Sequence, residues 1–145
     1  MKVVMLIIVL IFAQVNSFQS ERYYQATGVL LTQKTTQGTR SRGFNIGKLF
    51  LRINPREISI YGQQSGKTIT KTFDVYRTDH DTLFVDYRDN NFNTHQIKFH
   101  FKGDTLLSNS NFLSDAGPTA EHTEIRVILR ELDITREREI IELFR

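Results

Sequence analysis

The sequence predicts a mainly β fold. It reads as an antiparallel meander of about eight strands, forming a small barrel or a strongly curved sheet, with a C-terminal α-helix. Three observations carry this. From Arg22 onward apolar residues recur at alternate positions, the period of a strand with one buried face. The separators between these runs are short, which forces hairpins, because a parallel connection needs a crossover of about a dozen residues or more. Helical spacing is confined to the end of the chain.

Taken in order, Arg22–Thr32 is aromatic and β-branched and is expected as the first strand. Gln33–Asn45 is polar, holds Gly38 and Gly43, and is expected as a long loop. Lys48–Ile53 alternates Leu49, Leu51 and Ile53 with Lys48, Phe50 and Arg52. Asn54-Pro55 signals a turn, and Glu57–Tyr61 resumes the sheet. Thr68–Tyr76, Thr82–Arg88, Thr94–Phe101 and Thr105–Phe112 follow as strands, with Gly103-Asp104 as a tight-turn signal. Glu124–Leu132 alternates as a last strand, although a helix running from Thr119 also fits its spacing. Asp133 or Thr135 is positioned to cap a closing helix, Arg136–Phe144, whose apolar side is Ile140, Ile141 and Phe144.

Hairpin geometry extends this to registers. Phe73 is expected opposite Tyr87, and Val75 opposite Val85. Tyr87 is expected opposite His95, Val85 opposite Ile97, and Leu83 opposite Phe99. Phe101 is expected opposite Leu106, Phe99 opposite Ser108, Ile97 opposite Ser110, and His95 opposite Phe112. Each register keeps apolar residues on one face, as burial demands. Tyr87, His95, Ser108 and Ser110 then sit among them as buried polar groups that need partners. Asp74 and Asp86 fall together on the outer face.

Met1–Ser17 has the form of an export signal. Lys2 precedes the apolar run Val3–Ala13, and Val15 and Ser17 occupy the −3 and −1 positions of a cleavage site. The run is eleven residues long, short of the roughly 20 that span a bilayer. The expected organisation is a signal over 1–17 and a single domain over 18–145, with no stable membrane span after cleavage. The chain has no Cys and no N-x-Ser/Thr sequon. It therefore uses no disulfide, thiolate or lipobox chemistry, and a periplasmic or extracellular bacterial location is expected.

Charge is unevenly distributed. Arg22, Lys34, Arg40, Arg42, Lys48, Arg52 and Arg56 occupy a stretch without a single acidic residue, whereas residues from Glu57 onward carry fifteen acidic and eleven basic side chains. Such a block suits an anionic surface, or it lies against acidic elements of the same fold. Nucleic acid is not expected, since export and the lack of a recognition motif both argue against it.

Other constellations point to ordinary chemistry. Asp74 with Asp86 would be needed as an acid–base pair, and solvated surface carboxylates are the alternative. Asp79-His80-Asp81 suits a hairpin tip. Glu121-His122-Thr123-Glu124 lacks the order of a zincin helix. Gly38 and Gly43 have P-loop separation, but Phe44 stands where lysine is required. No nucleophile elbow is present. No cofactor, metal or catalytic set is expected.

The outline of an export signal, about eight antiparallel strands and a late helix resembles calycin-type barrels, the lipocalins among them. Their first-strand Gly-x-Trp is absent, and no site residue is carried over from them. The first functional expectation is an exported, non-enzymatic binding module for a small amphipathic or apolar ligand. Tyr87, His95, Ser108 and Ser110 would be its polar contacts, with Lys34, Arg40 and Arg42 near the entrance. The alternative is a protein-interaction module with a filled core, an inhibitor, accessory or assembly factor using the basic early strands or the terminal helix.

Overall fold

The computed structural model describes residues 20–44, 47–88, 91–110, 112 and 122–145. The expected export signal and the Ser114–Thr119 loop lie outside them. The strands are β1 (Arg22–Thr35), β2 (Gly38–Phe44), β3 (Lys48–Ile53), β4 (Glu57–Gln64), β5 (Lys67–Asp79), β6 (Thr82–Arg88), β7 (Thr94–Lys102), β8 (Thr105–Ser108) and β9 (His122–Glu131), and the helix is α1 (Arg138–Glu142). Eight strands close into an antiparallel barrel, and one stands outside it.

Closure depends on β1. One of its edges pairs with β9, from Tyr24↔Glu131 to Lys34↔His122. Its other edge is shared. Arg22–Gln25 pair with β3, and Val29–Thr35 pair with β2. A bulge between Ala26 and Gly28 shifts the β9 register, and bulges of this kind bend and twist a strand. Closure gives each barrel strand a neighbour on both sides, the usual remedy for unpaired strand groups.

The expected registers hold along the β6–β7 hairpin, where Leu83↔Phe99, Val85↔Ile97 and Tyr87↔His95 are paired. Phe101↔Leu106 and Phe99↔Ser108 also hold, as does Val75↔Val85. The inward positions fill the barrel. Leu51, Ile53, Ile58, Ile60, Leu83, Val85, Ile97, Phe99, Leu106, Ile125 and Val127 are each 0–1 % exposed. The Phe99 ring lies 5.9 Å from Phe73 and 5.0 Å from Phe112. An eight-stranded barrel has an interior about wide enough for its own side chains, and this one is occupied by them.

Three elements differ from expectation, the closing helix among them. Gln33–Asn45 is not a loop over its described length. β1 runs on to Thr35, Thr36-Gln37 make a turn, and β2 returns along it from Thr35↔Gly38 to Val29↔Phe44. β2 buries no face, so it needs no apolar alternation. Its order comes from the backbone ladder and from contacts such as Thr32 Oγ1 to Ser41 Oγ at 3.1 Å. The strand expected over Thr105–Phe112 ends at Ser108. There the Ser108 hydroxyl donates to the Ser110 carbonyl (3.0 Å) and accepts from the Ser110 amide (3.3 Å). Asn109 Oδ1 accepts the Lys98 amide at 2.9 Å. Side chains thus replace the ladder, a known competition of Ser and Asn with sheet pairing. Ser110 and Phe112 consequently leave their expected positions opposite Ile97 and His95.

The last strand is a strand, as its β-branched content favours. α1 is shorter than expected and has no side-chain cap. Asp133 instead accepts from the amide (2.9 Å) and hydroxyl (2.6 Å) of Thr135, and Glu137 accepts from the Asp133 amide (3.0 Å) and Arg130 Nη2 (2.9 Å). Ile140, Ile141 and Phe144 pack on the outside of the barrel against Tyr23, Phe50, Tyr61 and Leu132.

This turn has a pH signature. The hydrogen bonds from Thr135 hold the Asp133 carboxyl below its usual range, and those from Arg130 do the same for Glu137. Folded values below the unfolded ones mean that the stabilisation is present above the ordinary carboxylate range and is lost as pH falls through the depressed values. Amide protection factors at Thr135–Glu137, corrected for the intrinsic slowing of exchange in acid, should fall on acidification through that range more than at the β6–β7 ladder. An equal fall at both would remove these carboxylates as the cause.

Candidate functional site

The sequence-predicted residues gather at one end of the barrel, where β1, β4, β6 and β8 finish and β2, β5, β7 and β9 begin. Tyr87 and His95 face each other across β6 and β7 and are both half-buried. The Tyr87 ring lies 5.7 Å from Phe73. Ser108 and Ser110 are 1 % and 4 % exposed. Ser108 is satisfied by the backbone bonds above, whereas the Ser110 hydroxyl has no hydrogen-bond partner among the described residues. Phe112, 3 % exposed, seats its ring edge-on to Phe99 at this end. The polar cluster therefore sits over a filled interior and does not line an open barrel lumen.

β2 lies outside the closed barrel, on the edge of β1 that β3 leaves free. Directly opposed residues of an antiparallel pair share a face. Arg42 is opposite Leu31 and Phe44 opposite Val29. Leu31 and Val29 belong to the core, so Arg40, Arg42 and Phe44 lie on the barrel side of β2. The Arg42 guanidinium stands 5.4 Å over the Phe44 ring, a contact that steadies its position. Lys34 pairs with Thr39 and His122, which puts it on the other face. The three cations expected together at an entrance are thus divided, with Arg40 and Arg42 on one face and Lys34 on the opposite one. All three are exposed.

β2 is bonded on one side only. β3 and β2 lie along the same edge of β1, and β4 pairs with β3 but turns back at Ser65-Gly66. Among the described residues nothing pairs with the outer edge of β2. Its amides and carbonyls that point away from β1 are therefore open to another strand. Where β2 leads toward β3, a recess of about 310 Å³ opens among Gly47, Lys48, Gln63, Ser65 and Gly66. Lys48 adds a further exposed cation there.

The other barrel end is closed by Tyr24 and Phe101, whose rings are 6.4 Å apart. Burial raises the Tyr24 phenol above its ordinary value, and its hydrogen bond with Arg22 opposes that rise. A recess of about 450 Å³ adjoins them, lined by Asp81, His100 and Lys102. Sequence reasoning did not single out this cluster, because Asp81 comes from the β5–β6 turn and His100 and Lys102 from the distant end of β7.

Asp74 and Asp86 are exposed, and the Val75↔Val85 register is the one that sets them opposite each other on the outer face; on their far sides the ladder partners are Glu57 and Gln96. His80, at φ 49° in the β5–β6 turn, contacts Asp79 at 2.7 Å. Among the described residues no group of three or more His, Asp or Glu side chains is arranged to hold a metal. Glu121 lies outside the described residues.

The fold and this end together define a class: a small closed β-barrel with a filled interior and a basic strand outside it. Compared with protein-family models, curated proteins and solved structures, the chain matches none of them.

Proposed function

We propose that this protein is an exported, non-enzymatic interaction module that captures an acidic segment of a partner protein through the β1–β2 hairpin. One observation carries this reading. β2 is a basic strand outside a closed, filled barrel, with only Phe44 part-buried and its other residues exposed. A strand that buries no face contributes little to a core. Its placement is better understood as a surface. Arg40 and Arg42 supply the charge, and rigid backing by β1 and β9 holds them in place.

A second reading rests on the Ser110 hydroxyl, which is buried beside Phe112 without a hydrogen-bond partner among the described residues. Such a group suits a small amphipathic ligand seated at the rim near Tyr87 and His95.

The test separates the two. The protein, purified from its own host, is analysed by native mass spectrometry and then titrated with polyglutamate. The interaction reading expects a mature chain beginning at Phe18 and no small-molecule adduct. It also expects polyglutamate binding that weakens with salt and falls at least about tenfold in an Arg40→Ala, Arg42→Ala variant. A co-purified amphiphile released by His95→Ala, with polyglutamate ignored, would establish the rim-ligand reading instead.

A further inference from the structure

We infer that the outer edge of β2 accepts a strand from its acidic partner, extending the sheet β9–β1–β2 by one member. This rests on the interaction reading above and adds the mode and the sequence pattern of the partner. Strand addition needs an exposed, ordered edge with open backbone groups. β2 has all of its seven residues in register with β1 and, among the described residues, no strand on its other side. Among the described residues every barrel strand has a neighbour on both sides, although the β5–β6 ladder covers only Val75–Asp79 of β5, and β2 is the strand with one edge open along its whole length.

Charge selects the occupant. A second copy of this chain adding through the same edge would bring Arg40 and Arg42 against Arg42 and Arg40, and like charges directly opposed are unfavourable. An acidic strand reverses the sign. Arg40 and Arg42 are two positions apart and so roughly 6.8 Å apart along one face. They match carboxylates at alternate positions of an added strand.

The opposite face sets a further requirement. Gly43 separates the open edge from Leu30, its partner on β1. A side chain at Gly43 would meet nothing within 4 Å, and Leu30 is 37 % exposed. An apolar residue opposite Gly43 can therefore reach across it and cover Leu30. For an antiparallel partner the four residues opposite Gly43, Arg42, Ser41 and Arg40 are then apolar, acidic, hydroxyl-bearing and acidic.

The probe is a fluorescent peptide of repeating Val-Glu-Thr-Glu, titrated with the mature chain and followed by anisotropy. A second peptide of the same sequence carries N-methyl groups on alternate amides, which keep its charge and remove its ladder donors. Strand addition predicts saturable binding of the first peptide. It predicts a loss of at least about tenfold with the methylated peptide, and a similar loss with Arg40→Glu, Arg42→Glu protein. β2 lies outside the barrel, so the variant should melt as the parent does. The methylated peptide probes the same edge on unaltered protein. Equal affinity for the methylated peptide, with binding lost in the arginine variant, would overturn strand addition and leave charge capture standing. Binding of neither peptide would overturn both.

Discussion

Phe99→Ala should lower the unfolding free energy by about 3–5 kcal/mol, the range for deleting a buried aromatic ring. Phe99 is 0 % exposed and lies between Leu83 on β6 and Ser108 on β8. Its ring touches those of Phe73 and Phe112. Removing it takes away a transfer contribution and leaves a void the barrel walls cannot close, because their ladders fix the strand spacing. With no disulfide in the chain, covalent constraint does not compensate. Domains of this size are stable by only about 5–15 kcal/mol, so a urea midpoint should shift markedly. The same void should bind an apolar probe such as benzene, which the parent protein should ignore. A loss below about 1 kcal/mol would mean that the space around Phe99 is already hollow, and a ligand cavity would have to be reconsidered.

Arg52→Met should release the C-terminal helix. Arg52 points outward from β3, opposite Ser59. Its Nη1 donates to the Phe144 carbonyl at 3.2 Å, and its Nη2 donates to the Glu57 carboxylate and to the Ser59 hydroxyl. Glu21 lies 3.5 Å from Nε, and the guanidinium stands 5.9 Å over the Phe144 ring. One side chain thus ties β3, β4 and the segment after α1 together. The helix spans five residues and has no side-chain cap, so it cannot persist alone. Methionine keeps the apolar stem and removes every donor. The expected loss is about 1–3 kcal/mol, smaller than for a fully buried pair because Arg52 is partly solvated. Amide exchange at Ile140–Phe144 should rise far more than in the barrel. Unchanged exchange there would show that Tyr23, Phe50 and Leu132 hold the helix without Arg52.

The sequence made the barrel legible where burial enforces alternation. Tyr87↔His95, Val85↔Ile97 and Leu83↔Phe99 follow from short turns and one greasy face, since a one-residue slip would turn Phe99 and Ile97 to water. β2 was illegible for the opposite reason. Its residues GTRSRGF bury no face, and polar strands carry no periodic signal. Ser108 and Asn109 end β8 through their own side chains, which hydrophobic pattern does not register. Phe84 faces outward yet is 7 % exposed, because Arg77 stacks on its ring at 3.8 Å. That contact requires the bulge between Val75 and Arg77. Of the candidate site, the residues Tyr87, His95, Ser108, Ser110, Arg40 and Arg42 do share one barrel end. What sequence could not give is the face of each cation on the β1–β2 hairpin, because that depends on the turn at Thr36-Gln37, which polar composition concealed.

The barrel is held by its filled interior, and we propose that the open edge of β2 serves recognition. Hydrogen exchange of the β2 amides with and without the Val-Glu-Thr-Glu peptide tests this most directly. Protection confined to Thr39–Gly43 of β2, with the amides around Tyr87 and His95 unchanged, is the predicted result. Protection around Tyr87, His95 and Ser110 with β2 unaffected would contradict it and place recognition at the barrel rim.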